Sequence, residues 1–192
     1  MAKPPPPEKG FALLARGRVV LATFVAAQIV YVIMLSVTLP RLEAMAGGLI
    51  PFDMLPGGYD FAAAQNLLDA LGEEGRAFYL TRQIPLDLIY PALFALAYGL
   101  AWRWLAPRAW PTLLRFSWFP IAAGLTDYAE NVFIIRMLTL YPELPRGLVT
   151  AANAATLAKS VLTTITLTAL MIMLAIMLLR FARNRLTAKL KS

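Results

Sequence analysis

The chain contains no cysteine and no histidine. Their absence excludes disulfides, thiolate zinc and iron-sulfur sites, histidine-ligated haem, and every catalytic triad built on imidazole. Any proton transfer therefore falls to Asp, Glu, Lys or Tyr. Charge is scarce too: Asp, Glu, Lys and Arg make up 15% of the 192 residues, against 59% hydrophobic. With a mean hydropathy of +0.64 the chain is too apolar for an ordinary soluble domain, so an integral membrane protein is expected.

Four apolar runs stand out, at about 19–39, 85–105, 113–140 and 151–179. Each is long enough for a helix to cross the roughly 30 Å hydrocarbon core at 1.5 Å per residue. The third and fourth exceed a perpendicular crossing, so tilt or projection beyond the bilayer is expected, and Pro120 is expected to bend the third near its start. Ala44-Met45-Ala46 resembles a signal-peptidase site, but the apolar core before it is longer than the ~7 to 15 residues usual in a signal peptide. A retained anchor is expected.

The expected fold class is all-α: a polytopic four-transmembrane-helix bundle, occupying 19–182. A cytoplasmic tail (1–18) precedes it and a basic cytoplasmic tail (183–192) follows. The four prolines near the start make residues 1–10 an extended or disordered segment. The loop 40–84 is too long for a bare connection. Asp60 is placed to cap a short helix from Phe61 to Leu71, Gly72 to end it, and 73–83 to lead into the second span, giving a cap of short helices.

Basic residues set the expected orientation. Lys3, Lys9, Arg16 and Arg18 precede the first run, Arg103, Arg108 and Arg115 flank the second turn, and Arg180, Arg183, Arg185, Lys189 and Lys191 follow the fourth run. The 40–84 loop instead has Arg41, Arg76 and Arg82 against six acids. By the positive-inside rule both termini are expected in the cytoplasm, with a bacterial inner membrane as the location. Trp102, Trp104, Trp110 and Trp118 then mark a cytoplasmic aromatic belt, and Tyr79 and Tyr141 an outer one. The formal charge of +7 is thereby assigned to the membrane surface, with no nucleic acid as partner.

The best functional clue is Asp127, Glu130 and Asn131, on one helical face in the middle of the third run. A central Asp facing lipid costs about 2.5–3.5 kcal/mol on an insertion scale, so this stripe, with Ile134, should face the bundle interior. Arg136 lies on the opposite side and nearer the outer surface, where it can snorkel. On the fourth run Asn153, Thr156, Lys159, Ser160 and Thr163 form a corresponding stripe, and Glu130 and Lys159 sit at matching depth. On the second, Asp87, Tyr90, Phe94 and Tyr98 share a face, and Pro91 should free the carbonyl of Asp87. Gln28 and Tyr31 supply polar groups at bundle-centre depth from the first.

Structural readings compete. Asp87, two residues after Pro85, could simply complement a helix N-terminus. The Ala, Ser and Thr face of the fourth run suits helix packing. Two acids three residues apart with one lysine are harder to explain as scaffolding. The leading expectation is an outward-facing pocket for a small or lipophilic ligand, with Asp87, Tyr90, Tyr98, Asp127, Glu130, Asn131 and Lys159 as ligand-binding residues. One alternative is a metal-independent enzyme acting on a lipid or isoprenoid, with Asp127 and Glu130 as catalytic acid and base. Another is an accessory or assembly subunit. No metal ligand set and no cofactor is expected. The expected partners are membrane lipids, a lipophilic small molecule, and a second copy or a larger membrane complex.

Overall fold

The computed structural model describes residues 17–189, with side chains described through 184; the proline-rich segment lies outside the described residues. Among those residues the regular structure is all helical, with no strand. Helix α1 runs Gly17–Met45, α2 is Phe61–Phe78, α3 is Ile84–Ala109, α4 is Phe119–Leu140 and α5 is Arg146–Lys189.

Two prolines shape this framework. A proline has no N–H, and its ring crowds the carbonyl four residues back. Helix α1 widens into a π turn at Met34–Thr38, just before Pro40, and the Leu39 N–H reaches back to the Met34 carbonyl. The same device precedes Pro85: a π turn at Tyr79–Gln83 joins α2 to α3, and the Ile84 N–H reaches the Tyr79 carbonyl. The two π turns face each other, and Thr38 Oγ1 donates to Gln83 Oε1 at 2.5 Å, with both residues buried.

Asp60 caps α2 as expected, its Oδ1 accepting from the Ala63 N–H at 2.8 Å. Gly72 interrupts the helix as expected, with non-helical φ 61° and ψ −171°, so α2 is two helical pieces meeting at this kink, and the second continues into α3. The expected short cap helix is thus the arm before this kink, in the run Phe61–Ala109. Pro120 does not bend α4, because it sits in the first turn, where a missing N–H costs nothing. The preceding residues form a separate 3-10 helix, Pro111–Phe116, so α4 is shorter than the apolar run suggests. Helix α5 is longer, starting at Arg146 and continuing through most of the expected basic tail to Lys189.

Helix α4 packs on both α3 and α5, which also touch each other. Two apolar clusters close the bundle at its ends. The loop-end cluster gathers Met34, Leu42, Phe52, Leu68, Tyr79, Ile134, Met137 and Val149. The opposite one gathers Trp102, Leu105, Ala106, Leu170 and Met173. Two residues expected in aromatic belts belong to these cores instead: Trp102 is buried with its Nε1 donating to the Leu113 carbonyl at 2.8 Å, and Tyr79 is fully enclosed. An indole N–H or phenol met by a partner inside the fold has no need of the interface. Trp110 and Trp118 are exposed.

Three helical runs, Gly17–Met45, Phe61–Ala109 and Arg146–Asn184, are long and apolar enough to cross a membrane. Helix α4 is not among them. It has 22 residues, and every 18-residue stretch of it contains Asp127, Glu130 and Arg136. These three charges, two of them in the buried polar layer, are thus what separates α4 from the other three.

Candidate functional site

Between the two apolar clusters lies a polar layer. Asp127, Glu130, Asn131 and Ile134 are all buried, so the α4 face inferred from helical spacing is the inward one. Arg136 is exposed on the other side. Lys159 of α5 meets both acids: its Nζ lies 3.2 Å from Asp127 Oδ1 and forms a closer ion pair with Glu130 Oε2. Thr156, one turn earlier, donates to Glu130 Oε1 at 2.6 Å. Glu130 is therefore held on both oxygens by α5. Lysine and threonine three positions apart on one helical face make that grip possible.

Asn131 is committed elsewhere. Its Nδ2 donates to the Asp87 carbonyl at 2.8 Å, the carbonyl that Pro91 leaves without its helical N–H. This side chain repairs a proline gap and ties α4 to α3. Asp87 itself is 3% exposed, and its helix is continuous with the π turn before it. No free helix N-terminus exists there for it to complement, which removes the capping explanation.

A cavity of about 440 Å³ opens beside this layer. Its wall includes Asp87, Tyr90, Phe94 and Tyr98 from α3, Gln28 and Tyr31 from α1, Asp127 from α4, and Lys159, Ser160 and Thr163 from α5. The rings form a continuous surface: Tyr31 stacks on Tyr90 at 5.4 Å between centroids, and Phe94 meets Tyr98 at 4.3 Å. Gln28 Nε2 donates to Tyr98 Oη at 3.0 Å. Of the seven residues expected to bind ligand, Asp87, Tyr90, Tyr98, Asp127 and Lys159 line the cavity, whereas Glu130 and Asn131 lie behind its wall. Full enclosure at 0% exposure fits their partnered, structural placement.

Sequence reasoning missed the roof. Asp53, Met54 and Pro56, from the turn-rich loop, also line the cavity. Asp53 Oδ2 accepts from the Tyr79 hydroxyl, while its Oδ1 is buried with no hydrogen-bond donor. A lone acid inside the apolar stretch 49–56 was the available signal. Tyr59, beside it, is buried, and burial pushes its phenol well above the usual range, so it stays protonated.

A hydrogen bond pins the roof to α5: the Tyr59 N–H donates to Asn153 Oδ1 at 2.9 Å. Gly58 makes this approach possible, with φ +79° and space so tight that a Cβ would fall 2.2 Å from Asn153 Oδ1. Gly58→Ala is expected to cost about 1–2 kcal/mol through its left-handed backbone alone. Faster amide hydrogen exchange in the 52–59 roof, with α3 and α4 unchanged, is the readout. Unchanged exchange there would mean the pin is dispensable.

The fold and site together define an all-helical bundle with three helices suited to a membrane and a buried acid-lysine layer beside a cavity. No family model, curated protein or solved structure matches the chain.

Proposed function

We propose that the chain is a four-span integral membrane protein whose cavity binds a small lipophilic ligand. Helix α4, about 33 Å long at 1.5 Å per residue, has the length to be the fourth span. Its charges face inward or, at Arg136, belong to a side chain long enough to reach the interface. Four crossings leave both termini on one side, and the distribution of Lys and Arg assigns that side to the cytoplasm. The 46–60 roof then lies on the outer face.

The cavity carries this reading: about 440 Å³, with apolar and aromatic walls and a few convergent polar groups, it has the size and lining of a small-molecule site. The Lys159 ammonium and the Asp127 carboxyl orient the ligand, and the rings of Tyr31, Tyr90, Phe94 and Tyr98 hold its apolar part. Thr163→Phe, which puts a ring into the cavity from α5, is expected to lower the amount of co-purifying lipophilic molecule at least tenfold. Native mass spectrometry of the protein in mild detergent measures this. Equal retention by the variant sinks the proposal.

A metal-independent acid-base enzyme is the second reading, and Asp87 favours it: a buried carboxyl on the cavity wall with an oxygen that meets no donor. With Glu130 clamped by Lys159 and Thr156, that chemistry belongs to Asp87 and Asp127. Formation of product from a supplied lipid or isoprenoid distinguishes catalysis from binding.

A further inference from the structure

The cavity holds more acid than its one lysine balances. Asp53, Asp87 and Asp127 line it, and Lys159 is the one cationic side chain on its wall among the described residues. That ammonium is already shared between Asp127 and Glu130. At the roof end, Asp87 Oδ2 and Asp53 Oδ1 are both buried and without a donor. Both acids belong to the wall of the same cavity. Carboxylates sharing one cavity repel, and each orphaned acceptor costs about 1–3 kcal/mol, more when charged. A positively charged donor placed between them removes both penalties at once.

The surroundings narrow the kind of cation. Among the described residues no group of three or more Asp or Glu side chains is placed to hold a metal ion. The cavity is far larger than an inorganic ion needs, and the wall continuing from Asp87 along α3 is Tyr90, Phe94 and Tyr98, one helical turn apart. Aromatic faces attract an ammonium group and accept an apolar body. An anionic ligand meets repulsion here, and a neutral alcohol supplies a donor but leaves the charge unbalanced.

Building on the ligand-binding reading above, we infer that the cavity's ligand is a lipophilic amine whose ammonium head sits between the Asp53 and Asp87 carboxyls, its apolar body lying along Tyr90, Phe94 and Tyr98. The ammonium takes the place of the proton or counter-ion that the pair otherwise requires. Asp127 and Lys159 bound the other side of the site.

The test uses the full chain in phosphatidylcholine nanodiscs with radiolabelled N,N-dimethyldodecylamine as probe. Saturable binding is expected, with unlabelled amine competing at least tenfold better than 1-dodecanol. Asp87→Asn is expected to weaken amine binding at least tenfold, and the exposed Glu74→Gln to leave it unchanged. Should Asp87→Asn fail to fold, as read by circular dichroism, Asp53→Asn in the roof carries the same expectation. Dodecanol competing as well as the amine, or full amine binding in the folded Asp variant, overturns the amine assignment while leaving a lipophilic cavity intact. Absence of saturable binding for both probes, together with no lipophilic molecule co-purifying, overturns the ligand-binding reading as well.

Discussion

Replacing Lys159 by methionine is expected to destabilise the bundle by about 3–5 kcal/mol, the range for removing one partner of a buried ion pair. Lys159 is the sole cation touching Asp127 and Glu130 among the described residues, and its loss leaves two acids facing each other, one of them with 0% of its side chain exposed. Thr156 still donates to Glu130, but one neutral hydroxyl does not offset an enclosed charge. The cost therefore comes from what remains behind and not from the bond that is lost. A second variant isolates that cause: Asp127→Asn, Glu130→Gln and Lys159→Met combined should recover most of the lost stability, because neutral side chains need no counter-charge. Asp127→Asn alone should be milder, since it leaves Lys159 and Glu130 as a balanced pair. Reversible unfolding in mixed micelles measures all three. Equal destabilisation by the single Lys159→Met and the triple replacement would falsify the uncompensated-charge explanation.

Gly124→Val is expected to cost about 1–3 kcal/mol, the usual range for overpacking a tight contact. A Cβ at Gly124 would lie 2.8 Å from the Pro91 carbonyl oxygen and 3.2 Å from Ala95 Cβ, so α3 and α4 cross with almost no space between them. The first obstacle is backbone, which has no rotamer by which to withdraw. Helix α4 must move away from Pro91, and Asn131, two turns further along the same face, moves with it. Its 2.8 Å bond to the Asp87 carbonyl should lengthen or break, leaving that carbonyl unpaired. Gly124→Ala should show the same change with smaller amplitude. Thermal unfolding gives the stability change, and faster exchange or altered chemical shifts around Asp87 report the carried strain. A Val variant as stable as the parent chain would mean that the crossing is not close-packed.

Helical spacing was enough to place one face of α4. Asp127, Glu130, Asn131 and Ile134 lie within one 100° arc by arithmetic alone, and burying that face follows from the cost of charge in an apolar medium. The match of Lys159 to Glu130 was legible for the same reason, from depth counted along two helices joined by a short turn. The freed Asp87 carbonyl was legible too, because proline's missing N–H is a property of the residue and not of its surroundings. Span ends were harder to read. Apolar residues continue into a 3-10 helix before α4, and α5 carries on through its polar ends, since a helix is bounded by caps and not by hydropathy.

The partners of Glu130 and Asn131 could not be read in the same way. Both stand in the inward stripe, yet one is clamped by Lys159 and Thr156 and the other holds a backbone carbonyl, while the neighbouring Asp127 reaches the cavity wall. Which of three adjacent polar groups meets the cavity depends on angles of a few tens of degrees between helices, and sequence spacing carries no such angle. Asp53 was beyond reach for a further reason. Its place on the cavity wall depends on the fold of the 46–60 loop, on Gly58 fitting beneath Asn153, and on a π turn rotating Tyr79 inward to meet it.

The sequence by itself determined that the chain is helical and apolar, that its acids on α4 face inward, and that proline gaps need repair, because these follow from helical periodicity, the cost of burying charge and covalent geometry. Only the tertiary structure decided which polar groups are consumed by the scaffold and which are left facing the cavity. The physical reason is that a hydrogen bond or ion pair forms within an ångström or fails to form, and that distance is set by how α3, α4, α5 and the roof pack together.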